Sequence, residues 1–336
     1  VLFQDKKETE LKFSIYEKKD NYKINTFQNY RTSILEILMY SMFENRLNEL
    51  IYINNPSIVS ASLSEAEVTL ESSYKYLTIS LKEDVIQKGI EEVYKLFEST
   101  KRFGFEQQEL DLALKNYLTN LAQDVNEIDT RDAQSFIDEY TRHFTFDEMI
   151  SGRKKEYELA QKISSNLEVE EINTLFQNFF TNQNRIILIT APERIKNLPS
   201  ENEVKNYISK VEQSNVEKFV VKKIQDNLID FDLKEAEVTK ETYNELLDLT
   251  YLELSNGAKI YLKQTDFDSN KIYLKARSYG GYSHVESEKL SSARYFSEIT
   301  SLSDIYKFSV PELERIIPLE FASITPFVSR YMEGIN

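Results

Sequence analysis

At 336 residues the chain exceeds what one hydrophobic core usually fills, so its length predicts two domains, or one and a part. Hydrophobic residues at 41% and charged residues at 29% suit a globular protein with a sizeable core, while a net charge of −15 with no basic cluster argues against nucleic-acid and membrane-surface partners. Cysteine is absent, which excludes disulfides, thiolate nucleophiles and thiolate zinc sites and leaves the redox compartment open.

The first four residues, VLFQ, match the left half of a viral protease tag site, although Asp5 stands where glycine normally follows; they are set aside from the fold prediction. LKFSIY, 11–16, alternates apolar and polar as a half-buried strand does. Between residues 30 and 50, Ile34, Leu35, Leu38, Met42, Phe43 and Leu47 recur at three and four, the stripe of a long helix with Arg46 and Glu49 on its flanks. Asn54-Asn55-Pro56 breaks it, and 57–63 and 66–81 return to strand alternation through Leu77, Ile79 and Leu81.

Helical spacing resumes at 84–99 through Val85, Ile86, Ile90, Val93, Tyr94 and Phe97, with Gly104 as the stop. Further helices are predicted at 106–126, 131–142, 153–164 and 168–181, and RIILITAP, 185–192, reads as a buried strand ended by proline. A polar helix over 200–213 leads into 214–242, which has neither glycine nor proline and reads as a linker, with FVVKKI as a candidate covering strand. Beyond it LTYLELSNGAKIYLKQTDFDSNKIYLKARSYGG predicts two or three strands, with Asn256-Gly257 as a hairpin turn. After Gly280-Gly281 come helices over 286–302 and 310–317, then a strand in FASITPFVSRY, 321–331. These last elements are too few to close a core, so the second domain reads as incomplete.

No apolar run is long enough to span a bilayer, and no signal-peptide pattern opens the chain. The two histidines, His143 in YTRHF and His284 in YSHVE, lie outside any glycine-flanked nucleophile turn, so a capping or interfacial role is the reading for the first and an exposed loop position for the second. No histidine pair stands one helical turn apart, as a helical zinc site needs. Glu91-Glu92 and Glu170-Glu171 read as solvated helix faces, and Asp266 and Asp268 in TDFDSN as hairpin-turn residues lacking the glycine of a calcium loop. Seven glycines, none suitably spaced, leave no phosphate cradle.

The stretch LELSNGAKIYLKQTDFDSNKIYLKARSYGGYSHVESEKLSSARYFSEI, within 251–299, resembles the opening of a homologous half of the M16 zinc metallopeptidases, the insulinase and pitrilysin family. Earlier, YRTSILEILMYSMFENRLNEL, FGFEQQELDLALKNYLTNL, RDAQSFIDEYTRHF and LEVEEINTLFQNFFTNQNRIILITAP follow the order of that family's second domain, and the whole resembles its PqqL-like bacterial members. The resemblance implies an α+β fold of two M16-type, LuxS/metallohydrolase-like domains, each an antiparallel-rich sheet packed with helices. Their expected bounds are 5–213 for a noncatalytic second domain, 214–242 for an inter-half linker and 243–336 for the truncated start of a third.

In the family's catalytic domain the helix after the glycine turn carries His-x-x-Glu-His. That motif would fall here on Arg294, Ser297 and Glu298, none of which matches, so no catalytic or metal residue is carried over and substrate-contacting residues stay unassigned. The resemblance then implies no cofactor held by this chain, with zinc bound in a first domain elsewhere in the parent enzyme. It implies as partners a peptide or small-protein substrate together with the missing M16 domains, and a periplasmic location by analogy with bacterial relatives, with the cytoplasm still open. A zinc-less regulatory subunit serving a separate catalytic chain is the alternative, and a structural protein with no peptidase connection would require the motif match to be coincidence.

Overall fold

A computed structural model of the chain describes residues 1–54, 57–181, 183–221, 228–266, 271–317 and 322–336. The fold is α+β and divides into two compact units, Val1–Lys223 with Asp304–Ala322, and Ile224–Ser303 with Ser323–Asn336.

The first unit is organised on a five-stranded sheet formed by β1 (Leu2–Asp5), β2 (Leu11–Asp20), β3 (Ile58–Thr69), β4 (Ser72–Leu81) and β5 (Arg185–Pro192), in the order β1-β5-β2-β4-β3. Register places Phe13 opposite both Ile79 and Ile189, and Ile15 opposite Leu77 and Ile187, so three strands contribute to one apolar face. Helix α1 (Phe27–Asn54) lies against β3 and α2 (Ile86–Phe103) against β4. The chain continues through α3 (Gln107–Asn126), α4 (Ala133–Phe146), α5 (Arg153–Ser164) and α6 (Val169–Gln177), and after β5 through α7 (Glu201–Gln213), which packs on α2.

At the centre, the rings of Phe43, Phe97 and Phe176 meet edge-to-face or tilted with centres within 6.0 Å of one another, and Phe105 and Phe180 extend the cluster. Such ring pairs add about 0.5–1.5 kcal/mol each beyond the area they bury. Side-chain caps start several helices: Ser200 accepts from the Glu203 amide while Glu203 reaches back to the Ser200 amide at 2.8 Å.

In the second unit β6 (Val238–Asn244), β7 (Leu249–Leu254) and β8 (Lys259–Leu262) form an antiparallel sheet. Gly257, at φ +85°, makes the β7–β8 turn predicted at Asn256-Gly257. After β9 (Ala276–Tyr279) come α8 (Leu290–Arg294) and α9 (Phe296–Ser301). Helix α10 (Val310–Ile316) belongs to the first unit and packs on α1, and β10 (Pro326–Val328) and β11 (Met332–Ile335) complete a second three-stranded sheet with β9.

Several expectations are displaced. VLFQ, set aside in the sequence, contributes the edge strand β1, paired in parallel from Leu2 opposite Ile189 to Asp5 opposite Pro192. β3 runs on through Ser64-Glu65 to Thr69, because β4 pairs with it throughout and the turn is made by Thr69, whose hydroxyl accepts from the Ser72 amide at 3.1 Å. The helix predicted to 181 ends at Gln177. Of the candidate strand FVVKKI, residues 219–221 are not in a strand and 222–224 lie outside the described residues, as do the predicted break at Asn55-Pro56, Asp268 and Phe321.

Arg46 and Glu49, read as flanking residues, are 2% and 5% exposed. Helical periodicity assigns charge to the solvent side, but here each charge meets an opposite one from a distant segment. Arg46 forms a two-pronged pair with Glu109 at 2.7 and 2.8 Å and donates to Thr100 Oγ1 and to the Gly104 carbonyl, both at 3.0 Å. Its guanidinium carbon lies 4.6 Å from the Phe105 ring centre and 4.8 Å from that of Phe219. Glu49 is paired with Arg315 of α10.

Removing one partner from such a pair leaves an uncompensated buried charge, at a cost of about 3–5 kcal/mol. Arg46→Ala is expected to lower the free energy of unfolding by about that much in urea titration. Arg46→Met combined with Glu109→Gln, which removes both charges, should recover most of the loss.

Burial pushes the Glu44 carboxyl above its ordinary 4.5, against the pull of a hydrogen bond with the Leu63 backbone. The folded chain therefore keeps this proton when the unfolded chain has shed it, and stability falls as pH rises through the raised folded value. Glu44→Gln should raise the urea midpoint at pH 7, and the gain should vanish toward pH 4.

Candidate functional site

The stretch singled out by the sequence motifs lies in the second unit. β9 delivers the chain to Gly280-Gly281, where Gly281 takes φ +83° and a Cβ would stand 2.3 Å from the Ser329 carbonyl oxygen and 2.8 Å from the Met332 nitrogen. Only glycine fits both the backbone angle and that approach. The turn is stitched to the β10–β11 connection by amides of Gly280, Tyr282 and Ser283, which donate to the carbonyls of Tyr331, Ser329 and Arg330 at 2.9–3.1 Å.

The helix expected over 286–302 is two short helices, α8 and α9, broken at Tyr295 with φ −92° and ψ 6°. Tyr295, Phe296 and Ile299 are 64%, 47% and 57% exposed, and α8 buries none of its residues. A helix this short depends on tertiary packing to stay regular, and this one has little.

Arg294 ends α8, with its guanidinium carbon 5.6 Å from the Tyr282 ring centre, while Ser297 and Glu298 lie in the first turn of α9 beyond the break. Zinc takes imidazole, thiolate or carboxylate donors, so a permanent cation and a hydroxyl at two of three positions do not fit it, and no zinc chemistry is assigned to them. Beside them an open hollow of about 540 Å³ is lined mostly by apolar residues, Val285, Ala293, Phe296, Phe327 and Ile335 among them, with Glu333 as its one carboxylate. Among the described residues no three His, Asp or Glu side chains gather as an ion would require.

His143 is exposed in the last turn of α4, with Nδ1 2.6 Å from the Glu148 carbonyl oxygen. His284 is exposed in the short turn after Gly281, and Asp266 is exposed as well. Glu170 faces solvent, whereas Glu171 holds Arg31 through two hydrogen bonds of 2.6 and 2.7 Å.

The Glu91-Glu92 pair departs further from a solvated face. α7 covers this side of α2, Lys210 reaches Glu91 at 3.0 Å, and the Glu91 and Glu92 side chains keep 12% and 20% exposure. Periodicity within α2 could not register α7, which is more than a hundred positions away.

The five-stranded sheet holds a second candidate. Helices pack on its Phe13, Leu77 and Ile189 face, and the opposite face carries half-buried Tyr16, Tyr74 and Tyr76 with ring centres 5.3–6.1 Å apart. Around them lie Ser62, Ser64 and the hydrogen-bonded pair Ser14 and Thr78 at 3.0 Å. Ring faces with hydroxyl rims offer apolar contact and hydrogen bonding together, a surface suited to unfolded polypeptide rather than to bond chemistry. Alternation in LKFSIY assigns Tyr16 to this face, but the ladder depends on Tyr16 standing opposite Tyr76, a matter of register.

No family model matches the chain. It is 19% identical over 317 residues to the probable zinc protease PqqL of Haemophilus influenzae, covering 93% of the chain and 34% of that protein. It is 24% identical over 193 residues to a PQQL-like zinc protease of Arabidopsis thaliana, covering 56% of the chain and 20% of the relative. The fold superposes on the crystal structure of the periplasmic protease PqqL from Escherichia coli with a TM-score of 0.63 and 17% identity, over 99% of this chain and 37% of that one.

The chain thus resembles the PqqL-like M16 zinc proteases in sequence and in fold, and it matches 34% and 20% of the length of these two curated relatives. No helix among the described residues is long and apolar enough to cross a membrane.

Gly281→Ala is expected to open the junction between the glycine turn and the β10–β11 connection. Hydrogen exchange should speed up at the Tyr282 and Ser283 amides, which donate across it, while amides of β2 and β4 in the first unit stay protected.

Proposed function

We propose that this chain is the noncatalytic middle of a zinc metalloendopeptidase. Residues 5–213 would form a second M16-type domain, 214–242 the connection between halves, and 243–336 the start of a third domain. The observation that carries this reading is the pairing of likeness and loss: PqqL-like resemblance extends over 93% of the chain, while Arg294, Ser297 and Glu298 stand where the family's zinc helix has its ligands and base.

On this reading, zinc held by another domain supplies the activated water for peptide hydrolysis. The domains present here wall the chamber in which a peptide or small protein is held, and the open sheet face with Tyr16, Tyr74 and Tyr76 is the surface best suited to line it. A periplasmic location follows by analogy with the Escherichia coli relative, which is described as a periplasmic protease.

The purified chain is expected to cleave no peptide in a chelator-sensitive way; zinc-dependent, chelator-sensitive hydrolysis by pure material would overturn the proposal. The reading frame upstream of Val1 separates the two forms of the idea. His-x-x-Glu-His in the same frame supports a single enzyme, and the motif in a neighbouring gene supports a zinc-less subunit that serves a separate catalytic chain.

A further inference from the structure

Helix α4 is inverted relative to an ordinary surface helix. Ala133, Phe136, Ile137, Tyr140 and Phe144 recur at three and four along it as one apolar stripe, and such a stripe normally faces the core. Here it faces solvent: Phe136, Ile137, Tyr140 and Phe144 are 38%, 55%, 55% and 92% exposed, and α4 buries none of its residues. The half-buried positions Ser135, Glu139 and Phe146 lie on the opposite side.

The polar side anchors the helix. Arg131 pairs with Glu139 at 2.7 Å and donates to the Ser135 carbonyl at 2.8 Å, while Asp132 caps the first turn by accepting from the Ser135 amide at 2.8 Å. The Arg131 guanidinium carbon also lies 4.1 Å from the Phe136 ring centre. Beyond the last turn Arg142 donates to Glu148, Lys23 to Asp147 and the Met149 amide to the Ile24 carbonyl, each at 3.1 Å. The stripe is therefore presented in a fixed orientation, which lowers the cost of covering it.

Area, shape and charge select what covers it. Four side chains of roughly 150–250 Å² each leave about 500 Å² of apolar surface open at these exposures, toward the upper end of the largest patch on an ordinary monomer. Homodimer interfaces are about 65% apolar, so that surface fits the roughly 800 Å² per partner of a stable pair. Phe136, Tyr140 and Phe144, spaced by four, form a single ridge, and two such ridges interlock when helices cross at about −50°. A two-fold axis at Tyr140 then sets Phe136 of one copy against Phe144 of the other. Two copies with a net charge of −15 repel, and the stripe has no ionised side chain, so it is a face on which they can meet.

We infer that α4 is a homodimer contact, its stripe covered by the same stripe of a second copy of the chain. The assignment goes beyond the reading of the chain as a noncatalytic middle and does not rest on it.

The test is sedimentation velocity of the full 336-residue chain across a micromolar dilution series, with two variants that each insert one charge. The expected result is a reversible monomer-dimer equilibrium. Phe144→Glu, at a position 92% exposed in the folded chain, should weaken it by about 100-fold, because a two-fold contact meets each substitution twice. Leu246→Glu, the same charge at a 93% exposed leucine of the second unit, should leave it unchanged. The chain has no tryptophan, so Phe144→Trp reports from the stripe alone, and its emission should shift to the blue over the concentrations at which the dimer forms.

A monomer at every concentration would overturn the inference and leave the stripe to a partner of another kind. So would a dimer undiminished in Phe144→Glu, equal weakening by Leu246→Glu, or an emission maximum that does not move. If Phe144→Glu fails to fold, the Phe144→Trp titration alone decides.

Discussion

An arginine with 2% of its surface exposed joins the helical layer of the first unit, and much of the local architecture answers to it. Burying a cation is costly unless opposite charge and acceptors surround it, so Arg46 requires Glu109 from α3, Thr100 and Gly104 from the end of α2, and ring faces from Phe105 and Phe219 all at once. Meeting those demands sets where α2 must stop and where α3 must begin. Gly104 takes φ +71° with its carbonyl turned to Arg46, and Asn173 of α6 closes the corner by accepting from the Phe105 amide at 2.7 Å. Glu109 serves twice, since it also accepts from the Glu106 amide and so caps α3.

Among the described residues the second unit shows no comparable centre. Its two three-stranded sheets leave Tyr261, Tyr279 and Ile299 largely exposed, and its helices are short and interrupted. Order there comes from backbone pairing, above all at the glycine turn, where hydrogen bonds rather than a packed core hold the junction. The helices after that turn are short and largely exposed, with Arg294 directed to an aromatic ring.

This contrast gives the proposed division of labour its physical basis. On that proposal a well-packed unit with a tyrosine-bearing sheet face would serve as a rigid wall, and catalysis by zinc would be left to a domain with the donors that Arg294 and Ser297 cannot supply.

Elements whose signal is local were legible in the sequence. The limits of β5 and α5 coincide with the predicted 185–192 and 153–164, because each is bounded by its own turn residues and its own apolar period. The NG hairpin, the long first helix and the resemblance carried by 251–299 were likewise available from neighbouring residues alone. What only the tertiary structure decided involves partners distant in the chain. β3 extends past its apolar alternation because β4 pairs with it, and Glu91 is largely covered because α7 packs on α2 and brings Lys210 to it. Arg46 and Glu49 are buried because Glu109 and Arg315 neutralise them. A charge reads as solvent-facing in any local window, and only the fold can bring its counter-ion close enough to make burial affordable.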